Sequence, residues 1–310
     1  MIYTVTLNPA LDKTEEILDF TVDSVHRITA MRTDPGGKGR NVSKVIDKLG
    51  SKSIATGILG GGRGRAILSA LDGMGLTSCF HFITGETRTN LKVVDPKRHT
   101  NTDINEPGLV VTEEILAKLL EDLLARLKEG DIVVLSGSIP KGAPKDTYYT
   151  WVKACREGGA KVILDADGDL LEEGLKASPY LIKPNNHEIS RLLNQTLRTP
   201  KELKEAAKGL MKKYGIAEIV VSMGAEGALY VTGDETIYAE GLKVTVGSTV
   251  GAGDSVVAAL AVAQEVQMPL AETVRLSTAT GAANVMCSGT QAAEYAVIQE
   301  LMPKVVYHTM

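Results

Sequence analysis

The chain contains no two cysteines close enough to share a metal ion or close a short loop. Cys79, Cys155 and Cys287 lie far apart, and there is no CxxC pair. That excludes a disulfide framework and a zinc site and favours a reducing compartment. No long basic block interrupts the 310 residues, and the formal net charge is -4, so no nucleic-acid partner is expected. Runs of about 18 apolar residues are missing, and "MIYTVTLNPALD" lacks the basic start and apolar stretch of a signal peptide. A soluble cytoplasmic protein without membrane contact is expected. Repeats, low-complexity tracts and Gly/Ser linkers are absent as well. The length still suffices for two domains, or for one large α/β domain with an appendage.

From about residue 108 onward, β-branched runs alternate with amphipathic segments. "DIVVLSGS", "AKVILDADG", "PYLIKPNN" and "AEIVVSMG" are the runs, and their alternation with helical patterns predicts βαβ units, a parallel sheet with helices on both faces. Polar residues follow each run: Ser136 and Ser138, then Asp165, then Lys183 and Asn185, then Ser222 and Gly224. Ligands of open parallel sheets bind beyond the carboxyl ends of the strands, so the four sets are expected to line one crevice. Val42, Val45, Ile46 and Leu49 have helical spacing and end at Gly50, which predicts an amphipathic helix. "HRITAMRTD" and "TRTNLKVVD" interleave β-formers with polar residues and are expected to pair into a small sheet with one wet face.

Four glycine-rich or polar stretches can carry chemistry. In "STVGAGDSVVAAL", Gly251, Ala252 and Gly253 precede Asp254 and a segment apolar on every side, the pattern of a buried helix. Free amides at such a helix start suit an anion, and Asp254 is either the N-cap or a base. "PGGKGRN" is a second helix entry, with Lys38 and Arg40 offering positive charge, or else an ordinary turn. It fails the P-loop pattern because Gly39 follows Lys38. "GILGGGRGRA" has Arg65 where a dinucleotide fingerprint needs its third glycine, and reads as a strand-to-helix turn. "KPNNHE" sets Asn185 and Glu188 on one face of a first helical turn, as ligands of a hydrated Mg²⁺ or as a capping box. Arg27 and Arg88 are either phosphate-gripping forks or solvated surface charges.

In this order "TLNPALD", "PGGKGRN", "TRTN", "SGSIP", "KPNNHE", "VVSMGAEGA" and "STVGAGDS" resemble the phosphofructokinase-B family of ribokinase-like sugar kinases, over nearly the whole chain. The resemblance implies an α/β core formed by residues 1–11, 34–86 and 108–310, and a discontinuous β lid of residues 12–33 and 87–107. It implies ATP and Mg²⁺, a ketose phosphate as acceptor, and a homodimer joined through the lid. "TVTLNPALD", "GGKGRNVS" and "GDIVVLSGSIP" are most similar to bacterial members acting on fructose 1-phosphate, with tagatose 6-phosphate and fructose 6-phosphate as alternatives.

On that resemblance Asp254 is the base, and the amides of Gly251, Ala252 and Gly253 form the anion hole. Asp12, Gly37, Lys38 and Asn41 hold the sugar, with Arg27, Arg88 and Ser138 around its phosphate. Lys183, Asn185, Ser222, Gly224 and Gly227 fall on the nucleotide side, and Glu188 with Asn185 on the Mg²⁺. A non-catalytic sugar-phosphate sensor and an NAD-dependent oxidoreductase are the readings from other classes. Cys287, in "NVMCSGT", is read as packing.

Overall fold

The computed structural model describes residues 1–289 and 291–310. Fourteen strands form two sheets among them. The first seven strands are β1 (Ile2–Thr6), β2 (Ala10–Glu16), β3 (Ala30–Pro35), β4 (Ser53–Gly60), β5 (Thr77–Ile83), β6 (Arg88–Asp95) and β7 (Thr100–Asn105). The others are β8 (Ile132–Ser136), β9 (Lys161–Asp165), β10 (Leu181–Ile182), β11 (Glu218–Ser222), β12 (Gly227–Thr232), β13 (Thr236–Glu240) and β14 (Tyr307–Thr309). The helices are α1 (Lys38–Lys48), α2 (Gly61–Gly73), α3 (Glu113–Leu124), α4 (Thr147–Glu157) and α5 (Gly168–Leu175). After them come α6 (Asn186–Leu192), α7 (Pro200–Tyr214), α8 (Ala252–Glu265), α9 (Leu270–Val285) and α10 (Tyr295–Leu301).

The large sheet has the order β14-β13-β12-β11-β10-β9-β8-β1-β4-β5, parallel from β11 to β5 and antiparallel across the β11–β14 edge. Its centre is covered on both faces, which is why "IYTVT" and "IVVLS" are buried at every position. One face packs α3, α4 and α7 through residues such as Leu119, Trp151 and Leu210, and the other packs α1, α8 and α9 through Ile46, Leu260 and Ala279. The predicted helix over 42–49 is α1, and α8 is buried all round, as its composition requires. Helix α7 carries every start and stop signal: a Thr199/Glu202 capping box, Pro200 at its first turn and left-handed Gly215 at its end.

β1 sits between β4 and β8, so the chain winds outward in both directions from it. Crevices at such a reversal of strand order are where open α/β sheets bind ligands.

The small sheet corrects one expectation. Its order is β3-β2-β6-β7, so the "HRITAMRTD" and "TRTNLKVVD" strands do not pair with each other; β2 lies between them, antiparallel to β3 and parallel to β6. The first of those strands begins only at Ala30. Buried Asp95 at the end of β6 accepts the amides of Asp19, Phe20, Lys97 and Arg98, and so ties the long β2–β3 connection to the β6–β7 turn. Those four amides hold its carboxyl below the ordinary aspartate range, against the upward push of burial.

Candidate active site

The ends of β9 and β10 and the start of α1 meet at one carboxylate. Asp165, the last residue of β9, accepts the Lys38 ammonium at 3.0 Å and stands 3.4 Å from that of Lys183. Asp165 and Lys183 are both buried. Burial pushes the Asp165 carboxyl up, but the two ammonium groups outweigh it and hold the group below its ordinary range. Burial likewise works against the charged Lys38, and Asp165, then Asp254, more than reverse it. Lys38 is therefore a fixed positive charge. The Lys183 ammonium also lies against Gly253, whose missing Cβ would stand 3.4 Å from it.

Asp254 is not an N-cap. Gly251 occupies that place with φ +80°, a conformation that glycine adopts without strain, and no side chain caps α8. The first-turn amides thus have no side-chain acceptor, and the positive end of the helix faces Lys183 and Asp254. The Asp254 carboxylate, 7% exposed, instead takes the Asn41 amide, Nδ2 to Oδ2, at 2.8 Å. Burial and then the charge of Asp165 push its pKa above the ordinary aspartate value, while Lys38, Asn41 and Lys183 pull the other way. A desolvated carboxylate of raised basicity suits proton abstraction.

Helix α1 likewise starts without a side-chain cap, at Gly37. Beside it lies Asp12 of β2, whose carboxyl group would sit 2.2 Å from a Cβ at position 36; only glycine allows that approach. Asn90 of β6 donates to Asp12 across the small sheet at 3.0 Å. Burial raises the Asp12 pKa, opposed by Asn90 and by Arg40 and Arg88. The Arg88 guanidinium donates to the Asn8 and Glu106 carbonyls, and Asn8 Nδ2 donates to Ser138 Oγ at 3.2 Å. Asn8 therefore joins Arg88 and Ser138 into one group. Arg27 is not with them: it stands exposed on the β2–β3 connection, with no bond to any of these residues.

On the other side, Ser222 ends β11 and is bridged to Asn185, and Gly224 and Gly227 flank the turn into β12. Asn185 and Glu188 form the capping box. Asn185 Oδ1 accepts the His187 and Glu188 amides, and Glu188 accepts the Asn185 amide at 2.8 Å. The Asn185 oxygen is thus engaged in the cap, which leaves Glu188 the freer of the two expected metal ligands. Among the described residues no three His, Cys, Asp or Glu side chains cluster as a metal cage. Glu188, with one carboxylate oxygen committed and its charge felt by Lys38, fits a hydrated Mg²⁺ shared with phosphates rather than a closed protein site.

One result separates this crevice from the glycine-rich turn into α2. The start of α2 is occupied by the chain's own Glu86 carboxylate, which accepts the Gly62 and Arg63 amides at 3.2 and 2.6 Å. No dinucleotide phosphate has room there. Cys287 packs against the α8/α9 side of the core, as expected. Asp165 and Asn8 carried no assigned role in the sequence reading. Asp165 was visible only as the first polar residue after an apolar run, and Asn8 only as a letter of "TLNPALD".

The signature of the pfkB family carbohydrate kinases matches residues 5–296. A 1-phosphofructokinase of Bacillus subtilis (strain 168) is 37% identical over 305 residues, covering 98% of each chain. The crystal structure of phosphofructokinase-2 from Escherichia coli in complex with substrates and products superimposes with a TM-score of 0.92 at 30% identity, covering 98% of both chains. Ribokinase from Thermotoga maritima shares the fold, with a TM-score of 0.81 at 22% identity over 98% of this chain and 99% of that one. By signature, sequence and architecture, this chain belongs to the pfkB family of carbohydrate kinases.

Proposed function

We propose that the chain transfers the γ-phosphoryl group of ATP to the 6-hydroxyl of fructose 1-phosphate, giving fructose 1,6-bisphosphate and ADP. One observation carries this reading: a buried carboxylate, Asp254, at a helix start that no side chain caps, beside the Lys183 ammonium. The relatives named 1-phosphofructokinase support the choice of sugar.

Asp12, with its carboxylate against Gly36, accepts sugar hydroxyls beside Gly37. Arg88 and Ser138, joined through Asn8, take the 1-phosphate. The acceptor hydroxyl then lies at the Asp254 carboxylate oxygen that Asn41 does not hold, and Asp254 removes its proton as the oxygen attacks phosphorus. Amides of Gly251, Ala252 and Gly253, with Lys183, stabilise charge on the transferring group. Lys38, anchored by Asp165, adds positive charge on the sugar side. Ser222, Gly224 and Gly227 border the nucleotide. Bound Mg²⁺ would neutralise phosphate charge, and Glu188 is the residue placed to hold it through water. Closure of the small sheet as a lid over residues 12–33 and 87–107 would exclude water as a competing acceptor.

The choice among ketose phosphates is tested by kcat/KM. Fructose 1-phosphate is expected to exceed tagatose 6-phosphate and fructose 6-phosphate by at least about tenfold, on the order of 1.4 kcal/mol of discrimination. A higher value for either alternative would reassign the substrate.

A homodimer through the lid, in the cytoplasm, completes the proposal. Leu18, Val22, Val25, Ile28, Met31 and Ile104, large apolar side chains on the small sheet and its loop, are all exposed. That is the composition of a surface awaiting a partner. Cytoplasmic placement is supported by three free thiols. Sedimentation should show a dimer that Val22→Asp with Val25→Asp splits into monomers; a wild-type monomer at micromolar concentration would remove this part.

A further inference from the structure

The buried guanidinium of Arg40 has no part in the scheme above. It lies in the first turn of α1, 1% exposed, and its Nε and Nη1 are buried without any hydrogen-bond partner. Only Nη2 is engaged, donating to Asn41 Oδ1 at 3.3 Å. Three carboxylates from three elements face it: Asp12 of β2, Asp34 of β3 and Asp254 of α8. Each is already held by another group, Asp12 by Asn90, Asp34 by Arg32 at 2.6 Å, and Asp254 by Asn41.

A half-satisfied buried cation is a poor device for stability. Leaving donors unmet in the interior costs free energy, and apolar side chains of similar volume often replace buried charges without loss. Its position explains its presence. Asp254 can only accept a hydrogen bond, so Asn41 must turn its NH₂ group toward it, and the amide oxygen then points the other way. Arg40 supplies the donor that this oxygen meets, completing a chain from Arg40 through Asn41 to Asp254.

We propose that Arg40 is a positioning residue for phosphoryl transfer: it fixes the orientation of the Asn41 amide and, with its charge, keeps the Asp254 carboxylate ionised beside Asp165. This rests on Asp254 being the base. The groups facing Asp254 are Asp165 at the end of β9, Lys183 after β10, and Lys38, Arg40 and Lys44 of α1. Of these cations Lys38 and Lys183 are bound by Asp165. Burial, then the charge of Arg40, push the Lys44 ammonium down to about 7, so Arg40 is the permanent charge of that pair.

The test compares Arg40→Met, Arg40→Lys and Asp254→Asn in the full chain, by thermal unfolding and by pH profiles of kcat and KM. In Arg40→Met, kcat at neutral pH is expected to fall about tenfold or more, and KM for the ketose phosphate to stay within about threefold. The acid limb should move upward, because removing a positive charge raises the pKa of a base that works deprotonated. Thermal stability should be unchanged or higher. In Arg40→Lys the charge remains, so the limb should stay in place while kcat recovers in part. Wild-type kcat with an unmoved limb in Arg40→Met would overturn the proposal. A lowered melting temperature with full activity per folded molecule would also do so, assigning Arg40 to packing. Should Arg40→Met not fold, Arg40→Gln, which also removes the charge, takes its place: wild-type kcat with an unmoved acid limb in that variant overturns it as well. Asp254→Asn separates the two readings: if that variant turns over normally the base assignment itself is lost, whereas if it is inactive and the Arg40 variants behave as wild type, only the role of Arg40 falls.

Discussion

Replacing Asp254 with asparagine is expected to lower kcat by about 10²–10⁴-fold, the usual worth of a positioned general base, with KM for both substrates changed only a few-fold. Asparagine keeps the shape, and an amide can still meet Asn41, so the carboxylate's basicity is what disappears. The fold should not suffer. Asp254 is a desolvated charge beside Asp165, and neutralising it relieves both terms. The pH dependence carries the sign. Burial places the Asp254 pKa above that of a free aspartate, the base acts only when deprotonated, and wild-type turnover is lost as pH falls through that raised pKa. The variant's residual rate should show no such limb. Steady-state kinetics from pH 5 to 9, with calorimetric titration of fructose 1-phosphate, would check both parts; a rate within twofold of wild type would leave Asp254 without a catalytic part.

The second large effect is expected at Asp165, and it differs in kind. Asp165→Asn removes the one carboxylate, among the described residues, that pairs with both Lys38 and Lys183, and leaves the buried Lys183 ammonium without its ion pair beside the partly exposed Lys38. Breaking a buried ion pair by deleting one partner typically costs about 3–5 kcal/mol, so thermal and chemical unfolding should both move to weaker conditions by that order. Activity should drop too, because Lys183 is no longer held against Gly253. Since Asp165 raises the Asp254 pKa, its loss should shift the acid limb downward, opposite to the shift expected on removing Arg40. Adding Lys38→Met should restore part of the stability but not the activity, since the double variant no longer sets two like charges together without a carboxylate between them. Equal stability of Asp165→Asn and wild type in urea would refute the ion-pair account.

The core was legible because its physics is local. A strand buried on both faces must be apolar throughout, and "DIVVLSGS" or "AEIVVSMG" announces that without reference to the rest of the chain. The site was legible to the extent that polar residues directly follow such runs: Lys183, Asn185 and Ser222 are where the register puts them. What stayed hidden depends on partners remote in sequence. Asp254 as cap or base could not be separated until Gly251 was seen to hold the cap position and Asn41, 213 residues away, to take the carboxylate. The capping box of Asn185 and Glu188 is a local motif, yet its spacing serves a metal ligand equally well, and only the bonds of the Asn185 oxygen show that the box is formed. The pairing of the small sheet was missed because β2, "ALDKTEE", has too much charge to read as a central strand; it is central because only four short strands exist there and one side is wet.

The parallel pairing of β2 with β6 also constrains how the molecule is put together. Asp12 and Asn90, which meet across it, are 78 residues apart, and after β3 the chain between them runs through α1, β4, α2 and β5 of the α/β core. Neither hairpin, β2–β3 or β6–β7, contains that central pair, and a lone hairpin is marginal in water. The closure entropy of the intervening loop must be met before the two can join. The Asp12–Asn90 contact therefore cannot exist in an isolated fragment or an early intermediate, and it takes its shape only once the first α/β half has condensed beneath it.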